Sequence, residues 1–343
     1  MNNYFIHHNE FQLESGKALN GIKIAYTISG NPFAKKTIWV CHALSGNAEA
    51  TQWWAGLFSD STLFDLSKYR VICANVLGSC YGSTGAGELE EPLTFPFITI
   101  RDMVKAHQLL AAYLNVKNVD VLIGASLGGQ QALEWSIIDT EFADQLILVA
   151  TNAVHSPYGI AFNESQRLAL QADLTFGLKT GGKAGLKAAR AIAMLSYRSA
   201  NDFTIKQSDS SRSAFSHRAS SYVNYQGEKF IDRFNPYAYF YLSKAMDSHD
   251  VSRSRSSFSE VLSAVKAKTL VIGVDSDLLF PLTEQKFLAD HITGAELGVI
   301  KSPYGHDAFL IEFEQLNELI KDFLYNDFKR NRPTVLKTKQ VNK

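Results

Sequence analysis

The hexapeptide GASLGG, Gly124 to Gly129, lies between the apolar run VDVLI (119–123) and the helix-like segment GGQQALEWSII (128–138). A serine flanked by glycines where a strand turns into a helix has the G-x-S-x-G spacing, at Gly124, Ser126 and Gly128. Such a turn holds the serine on a strained corner, with its hydroxyl exposed at the carboxyl end of a sheet. Glycines are needed there because neighbouring backbone passes too close for side chains. The following helix N-terminus aims its free N–H groups at the same place. A serine in an inert glycine turn would share the pattern, so the surrounding chain has to decide.

Working outward, TIWVCHA (37–43) and YRVICANV (69–76) are nearly continuous apolar runs, as central strands covered on both faces require. IRDMVKAHQLLAAYLNV (100–116) has helical periodicity, and QLILVAT (145–151) reads as a strand. The alternation predicts a mostly parallel sheet with helices on both faces. Before it, FQLESG (11–16) and IKIAYTISG (22–30) predict an antiparallel hairpin broken at KALNG. The start of the chain is polar, without the layout of a secretion signal, and the adjacent His7 and His8 are expected on an exposed terminus.

From 155 to 255 the pattern changes to helical segments and a polar stretch rich in Ser and Arg, which predicts an α-helical lid inserted into the core. Strand and helix alternation then resumes with TLVIGV (269–274), TEQKFLADHI (283–292), ELGVIK (296–301) and FEQLNELIKDFLY (313–325). The expected organisation is therefore a core from 1–154 and 256–328, a lid at 155–255, and a solvated basic tail at 329–343.

Composition narrows the function. Equal numbers of basic and acidic side chains, 34 each, give no reason to expect nucleic acid as a partner. No apolar run reaches the ~18 residues of a membrane span. Cys41, Cys73 and Cys80 form no CxxC pair and fit free thiols in a reducing cytoplasm. No HExxH or clustered Cys/His set calls for a metal, and no redox cofactor is expected.

Around an elbow serine of this kind, the acid follows the serine in the chain and the histidine follows the acid. Past the strand ending at Val274, DSDLLFP (275–281) offers Asp275 and Asp277, both on the rim that carries the elbow. Beyond them lie His291, at a helix end where capping is its natural role, and His306, in the loop SPYGHDAFL (302–310) that can reach back over the rim. His306 is the better base. The loop after TIWVCHA supplies Leu44, whose backbone N–H, with that of Leu127, is a candidate oxyanion donor; His42 is expected to order that loop.

Nine segments in order, CHALSG, VICANVLGSCYGSTG, FPFITIRDMV, GASLGGQQALEW, IAFNESQRLAL, AARAIAMLSYRS, DSHDVSR, DSDLLFP and YGHDAFL, resemble the homoserine O-acetyltransferase family, acyltransferases of the α/β-hydrolase fold. The resemblance implies Ser126 as nucleophile, Asp277 rather than Asp275 as the triad acid, and His306 as base. It also implies Arg190, Tyr197 and Asp307 as residues that hold the amino-acid substrate. A guanidinium can fork a carboxylate and a carboxylate can pair with an ammonium, which suits the zwitterion homoserine. Acetyl-CoA as co-substrate, L-homoserine as acceptor, a homodimer and a place in methionine biosynthesis are further implications. The chain departs from the family in having Ala125 and Leu127 around the serine, and Ser45 and Asn47 in the oxyanion loop. A homoserine O-succinyltransferase, a serine O-acyltransferase, or an esterase or thioesterase would use the same triad.

Overall fold

A computed structural model describes residues 3–60, 62–210 and 214–325; the expected tail at 329–343 lies outside them. Its frame is one eight-stranded sheet: β1 (Asn3–Gln12), β2 (Ala18–Gly30), β3 (Lys36–Cys41), β4 (Tyr69–Ala74), β5 (Val119–Ala125), β6 (Ala143–Val149), β7 (Lys268–Val274) and β8 (Glu296–Ile300), in the spatial order β1-β2-β4-β3-β5-β6-β7-β8. β1 and β2 form the expected hairpin, and β2 pairs antiparallel with β4; from β4 to β8 every pairing is parallel. The hairpin starts earlier than its alternating pattern suggested. His7 and His8 belong to the edge strand β1, where His7 pairs with Ile22 and His8, at the register shift, is exposed as expected.

The central strands separate two apolar layers with the period of two that a pleated sheet imposes. Trp39, Leu122, Leu146 and Leu148 face a layer that includes Met103, Leu133 and Trp135. Ile38, Val40, Val121, Ile123, Ile147 and Val149 face another that includes Trp54, Leu316, Ile320 and Phe323. Helices α1 (Ala50–Trp53), α2 (Ile100–Tyr113) and α3 (Leu127–Ile138) follow β3, β4 and β5. α2 begins with a capping box, Thr99 accepting from Asp102 N–H and Asp102 from Thr99 N–H, so two of its orphan donors are satisfied locally.

Between β6 and β7 the chain leaves the sheet for α4 (Pro157–Gln171), α5 (Lys183–Tyr197), α6 (Ala200–Gln207), α7 (Arg218–Ile231) and α8 (Pro236–Asp247), then α9 (Phe258–Ser263). Ser156 and Asn235 cap α4 and α8, each followed by proline at the first helical position. The Ser/Arg-rich stretch, polar by composition, holds α6 and much of α7. α5 packs against α4 and α7, and its carboxyl end meets the 3₁₀ turn Gly305–Leu310. α10 (Leu282–His291) and α11 (Phe313–Tyr325) complete the core. Among the described residues no helix is long and apolar enough to cross a membrane, and Cys41, Cys73 and Cys80 are all free.

Candidate active site

Ser126 sits between the end of β5 and the start of α3 with φ 56° and ψ −128°, in the left-handed half of the backbone map. A non-glycine residue held there costs about 1–3 kcal/mol, so the surroundings must over-determine it. They do so through the backbone: Ser126 N–H donates to Val149 at 2.9 Å, and its carbonyl accepts from Thr151 Oγ1 at 2.9 Å and Gln130 N–H at 3.1 Å. The glycines have a steric purpose. A Cβ on Gly124 would lie 2.1 Å from the carbonyl oxygen of Gly128, and one on Gly128 would lie 2.1 Å from that of Cys41 at the end of β3.

Beyond β7, the two aspartates take different partners. Asp275 accepts from Ser302 N–H at 3.0 Å and pins the loop after β8. Asp277 faces His306: the distance from Nδ1 to Asp277 Oδ2 is 2.6 Å. The other oxygen of Asp277 accepts from the N–H groups of Leu279, at 2.8 Å, and Phe280, at 2.9 Å. A carboxylate so held fixes the ring tautomer, with Nδ1 donating and Nε2 left as the acceptor. The imidazole is wedged against Phe280, 5.0 Å between centroids, and Phe309, 5.4 Å. Burial alone would lower its pKa, but the charge and hydrogen bond of Asp277, with Asp307 adding to them, leave it above the usual 6.5. His291 ends α10 with Nδ1 bonded to Phe287 O, away from these groups.

Ser126 and His306 line one cavity of about 260 Å³, together with Leu44, Arg190, Tyr197, Arg198, Arg233 and Asp307. No hydrogen bond joins His306 to Ser126 Oγ among the described residues; in an unliganded site such a contact commonly tightens only with substrate. Neither the Leu44 nor the Leu127 backbone N–H has a protein acceptor among the described residues. Leu127 opens α3, where the first amides of a helix lack partners in any case. His42 orders the neighbouring loop: Nδ1 lies 2.8 Å from Ala43 O, and Nε2 accepts from Val76 N–H at 3.1 Å. Burial pushes its pKa down to about 4, which keeps it neutral.

The helical insertion supplies the cavity's far wall. Arg190 lays its guanidinium over Phe230 (4.7 Å) and Tyr197 (5.3 Å), with Nε and Nη1 buried and without a hydrogen-bond partner. Burial raises the Tyr197 phenol above its ordinary value against the opposing pull of Arg190. Asp307 lies beside Arg198, Nε to Oδ2 3.1 Å, an ion-pair distance without hydrogen-bond alignment. Its carboxyl is raised by burial in spite of Arg198, His306 and Arg190.

Two participants escaped the sequence reading. Arg198 pairs with Asp307, and Arg233 donates from Nη1 to Ser45 O at 3.0 Å and to Tyr81 OH at 3.1 Å, tying the insertion to the loop that carries Leu44. Both are arginines in polar stretches, and only the folded path of the chain brings them to the cavity. Among the described residues no group of three or more His, Cys, Asp or Glu side chains is arranged to hold a metal ion.

Residues 36–313 match the α/β-hydrolase fold family. The chain is 44% identical over 328 residues to the homoserine O-acetyltransferase of Cyclobacterium marinum, covering 91% of this chain and 92% of that protein. Among solved structures it resembles a homoserine O-acetyltransferase from Staphylococcus aureus (27% identity, TM-score 0.82, 97% of each chain). It also resembles esterase E22 (19% identity, TM-score 0.83, 94% of this chain and 100% of the other). The last likeness is one of fold alone.

Proposed function

We propose, from the premise that the chain belongs to the homoserine O-acetyltransferase family of the α/β-hydrolase fold, that it moves an acetyl group from acetyl-CoA to the hydroxyl of L-homoserine through an ester on Ser126. Ser126 Oγ attacks the thioester carbonyl while His306 Nε2 takes its proton. The new C–O bond forms, the C–S bond breaks, and His306 returns the proton to the departing sulfur. The homoserine hydroxyl then enters, gives its proton to His306, and attacks the acyl ester; Ser126 leaves and recovers that proton. Asp277 keeps the imidazole oriented and stabilises its charged form. The N–H groups of Leu44 and Leu127 receive the oxyanion, a contribution of about 2.7–4 kcal/mol for one such donor.

Arg190 carries the choice of a transferase over a hydrolase. A triad and an oxyanion hole serve both, but a guanidinium with two unpartnered buried donors in the nucleophile's own cavity is costly unless an anion completes it. An amino-acid carboxylate is such an anion. Tyr197 packs under the same cation, and Asp307 lines the same cavity as the carboxylate to meet the ammonium. Under this reading the insertion at 155–255 is a lid that excludes water from the acyl-enzyme and orients the acceptor. The cytoplasmic location, homodimeric assembly and first step of methionine biosynthesis implied by the resemblance belong to the same proposal.

The test is to incubate the purified protein with acetyl-CoA or succinyl-CoA, and with homoserine, serine or no acceptor, while following thiol release and product mass. Thiol release from acetyl-CoA that depends on homoserine, with O-acetylhomoserine as product, is expected. Equal release with and without an acceptor would mean a hydrolase.

A further inference from the structure

The cavity at Ser126, about 260 Å³, suits an acetyl group and a small amino acid; a nucleotide-bearing thioester is far larger. Beside it, between the loop after β4 and the insertion, lies a second cleft of about 670 Å³. Arg233 is a wall of both, so the two cavities are neighbours with this one side chain between them.

The cleft's charges are unevenly satisfied. Lys179 is paired with Glu90, and Glu88 with Lys23. Lys183, the first residue of α5, has no carboxylate partner among the described residues, and Arg233 spends only Nη1 on neutral oxygens. Asp232 is the opposing acid on the lining. Lys179 and Lys183 are both exposed and flank the buried Gly181 on the cleft's lining, where phosphates could replace a weak surface ion pair at little cost.

We infer that this cleft is the donor site: Lys179 and Lys183 hold the phosphates of the thioester's nucleotide, and the thioester's flexible arm passes Arg233 to present the acyl carbonyl to Ser126. The inference rests on the acetyl-CoA reading above and adds to it where the carrier lies. It accounts for the cleft sitting between core and insertion: one wall comes from each, so the insertion serves both substrates.

The test compares acetyl-CoA with S-acetylpantetheine, which lacks the nucleotide, in the unaltered enzyme and in Lys179→Ala/Lys183→Ala. Loss of two phosphate contacts should raise the KM for acetyl-CoA about five- to thirtyfold, with the KM for homoserine unmoved. S-Acetylpantetheine has no group for these lysines, so its KM should change by less than about twofold. In the same experiment 3′-phosphoadenosine 5′-diphosphate should compete with acetyl-CoA in the unaltered enzyme and lose potency in the variant. An unchanged KM for acetyl-CoA in an enzyme that transfers acetyl normally overturns the cleft assignment alone. Equal rises for both donors overturn it too, since the lysines would then act on the fold. Failure of the unaltered protein to use acetyl-CoA overturns the activity, and the donor site with it.

Discussion

Replacing Arg190 with methionine separates binding of the acceptor from chemistry at the serine. Methionine retains an unbranched stem over Phe230 and Tyr197 and removes the charge, so loss of packing is kept small. In the structure the Arg190 Nε and Nη1 donors meet no protein acceptor, so all of their hydrogen bonding is available to a ligand. A hydrogen bond to a charged group contributes about 1.5–3 kcal/mol, and each 1.4 kcal/mol is about a tenfold change. One such bond lost therefore predicts a homoserine KM raised roughly 10- to 150-fold. Formation of the acyl-enzyme should be unaffected, because the thioester brings no carboxylate to this position. The assay is steady-state kinetics with homoserine varied at saturating acetyl-CoA, alongside a rapid-quench burst without acceptor. An unchanged homoserine KM with a normal burst would refute the reasoning and leave Arg190 a lid-packing cation. A lost burst would also refute it, by placing Arg190 in the first half-reaction.

Other consequences follow from the same geometry. Gly128→Ala puts a Cβ against the Cys41 carbonyl, a backbone clash of the kind that costs about 1–3 kcal/mol or more; a lower Tm and loss of acetyl transfer are expected, and a variant with normal Tm and rate would contradict the close approach. His306 must be neutral to accept a proton, and its pKa is raised above 6.5. The acid limb of kcat/KM for acetyl-CoA should therefore fall at a pH above 6.5, and Asp277→Asn should move it down while cutting kcat by about 10⁴-fold, as in other serine triads; a limb that stays in place would remove Asp277 from the site. Burial pushes the pKa of His42, His107, His155 and His249 down to about 4, 3, 4 and 3. Because the unfolded chain takes up protons below about 6.5 that these folded side chains refuse, stability falls as pH drops through that value, by about 2 kcal/mol per histidine at pH 5. His306, with its raised pKa, acts in the opposite sense but is one against four. The urea midpoint should be lower at pH 5 than at pH 7.5, and an equal or higher midpoint would contradict these buried neutral rings.

The centre of the sheet was legible because strands such as β3, β4, β5 and β7 are short and apolar on both faces, and the elbow because its glycines mark close backbone contacts that few other sequences need. The β1 strand was partly hidden: only Phe5 and Phe11 are buried in it, with five polar or exposed positions between them spanning a register shift, so alternation is broken where a bulge breaks it. Asp275 and Asp277 could not be told apart by position, since both stand just past β7; the distinction lies in which one the returning His306 loop meets. Arg198 and Arg233 were not legible at all. Their roles depend on how α5 and α7 come back over the sheet, and no local pattern encodes that return. The helical character of the insertion was visible from its segments, but α6 and α7 lie in the stretch that read only as polar and rich in Ser and Arg, and the identity of the cavity-facing cations was not visible either.

The most direct measurement is mass spectrometry of the protein quenched milliseconds after mixing with acetyl-CoA in the absence of acceptor. The account predicts a gain of one acetyl group on the peptide that contains Ser126, discharged on adding homoserine and absent in Ser126→Ala. Thiol release with no acyl adduct at Ser126, or an adduct that persists in Ser126→Ala, would contradict it.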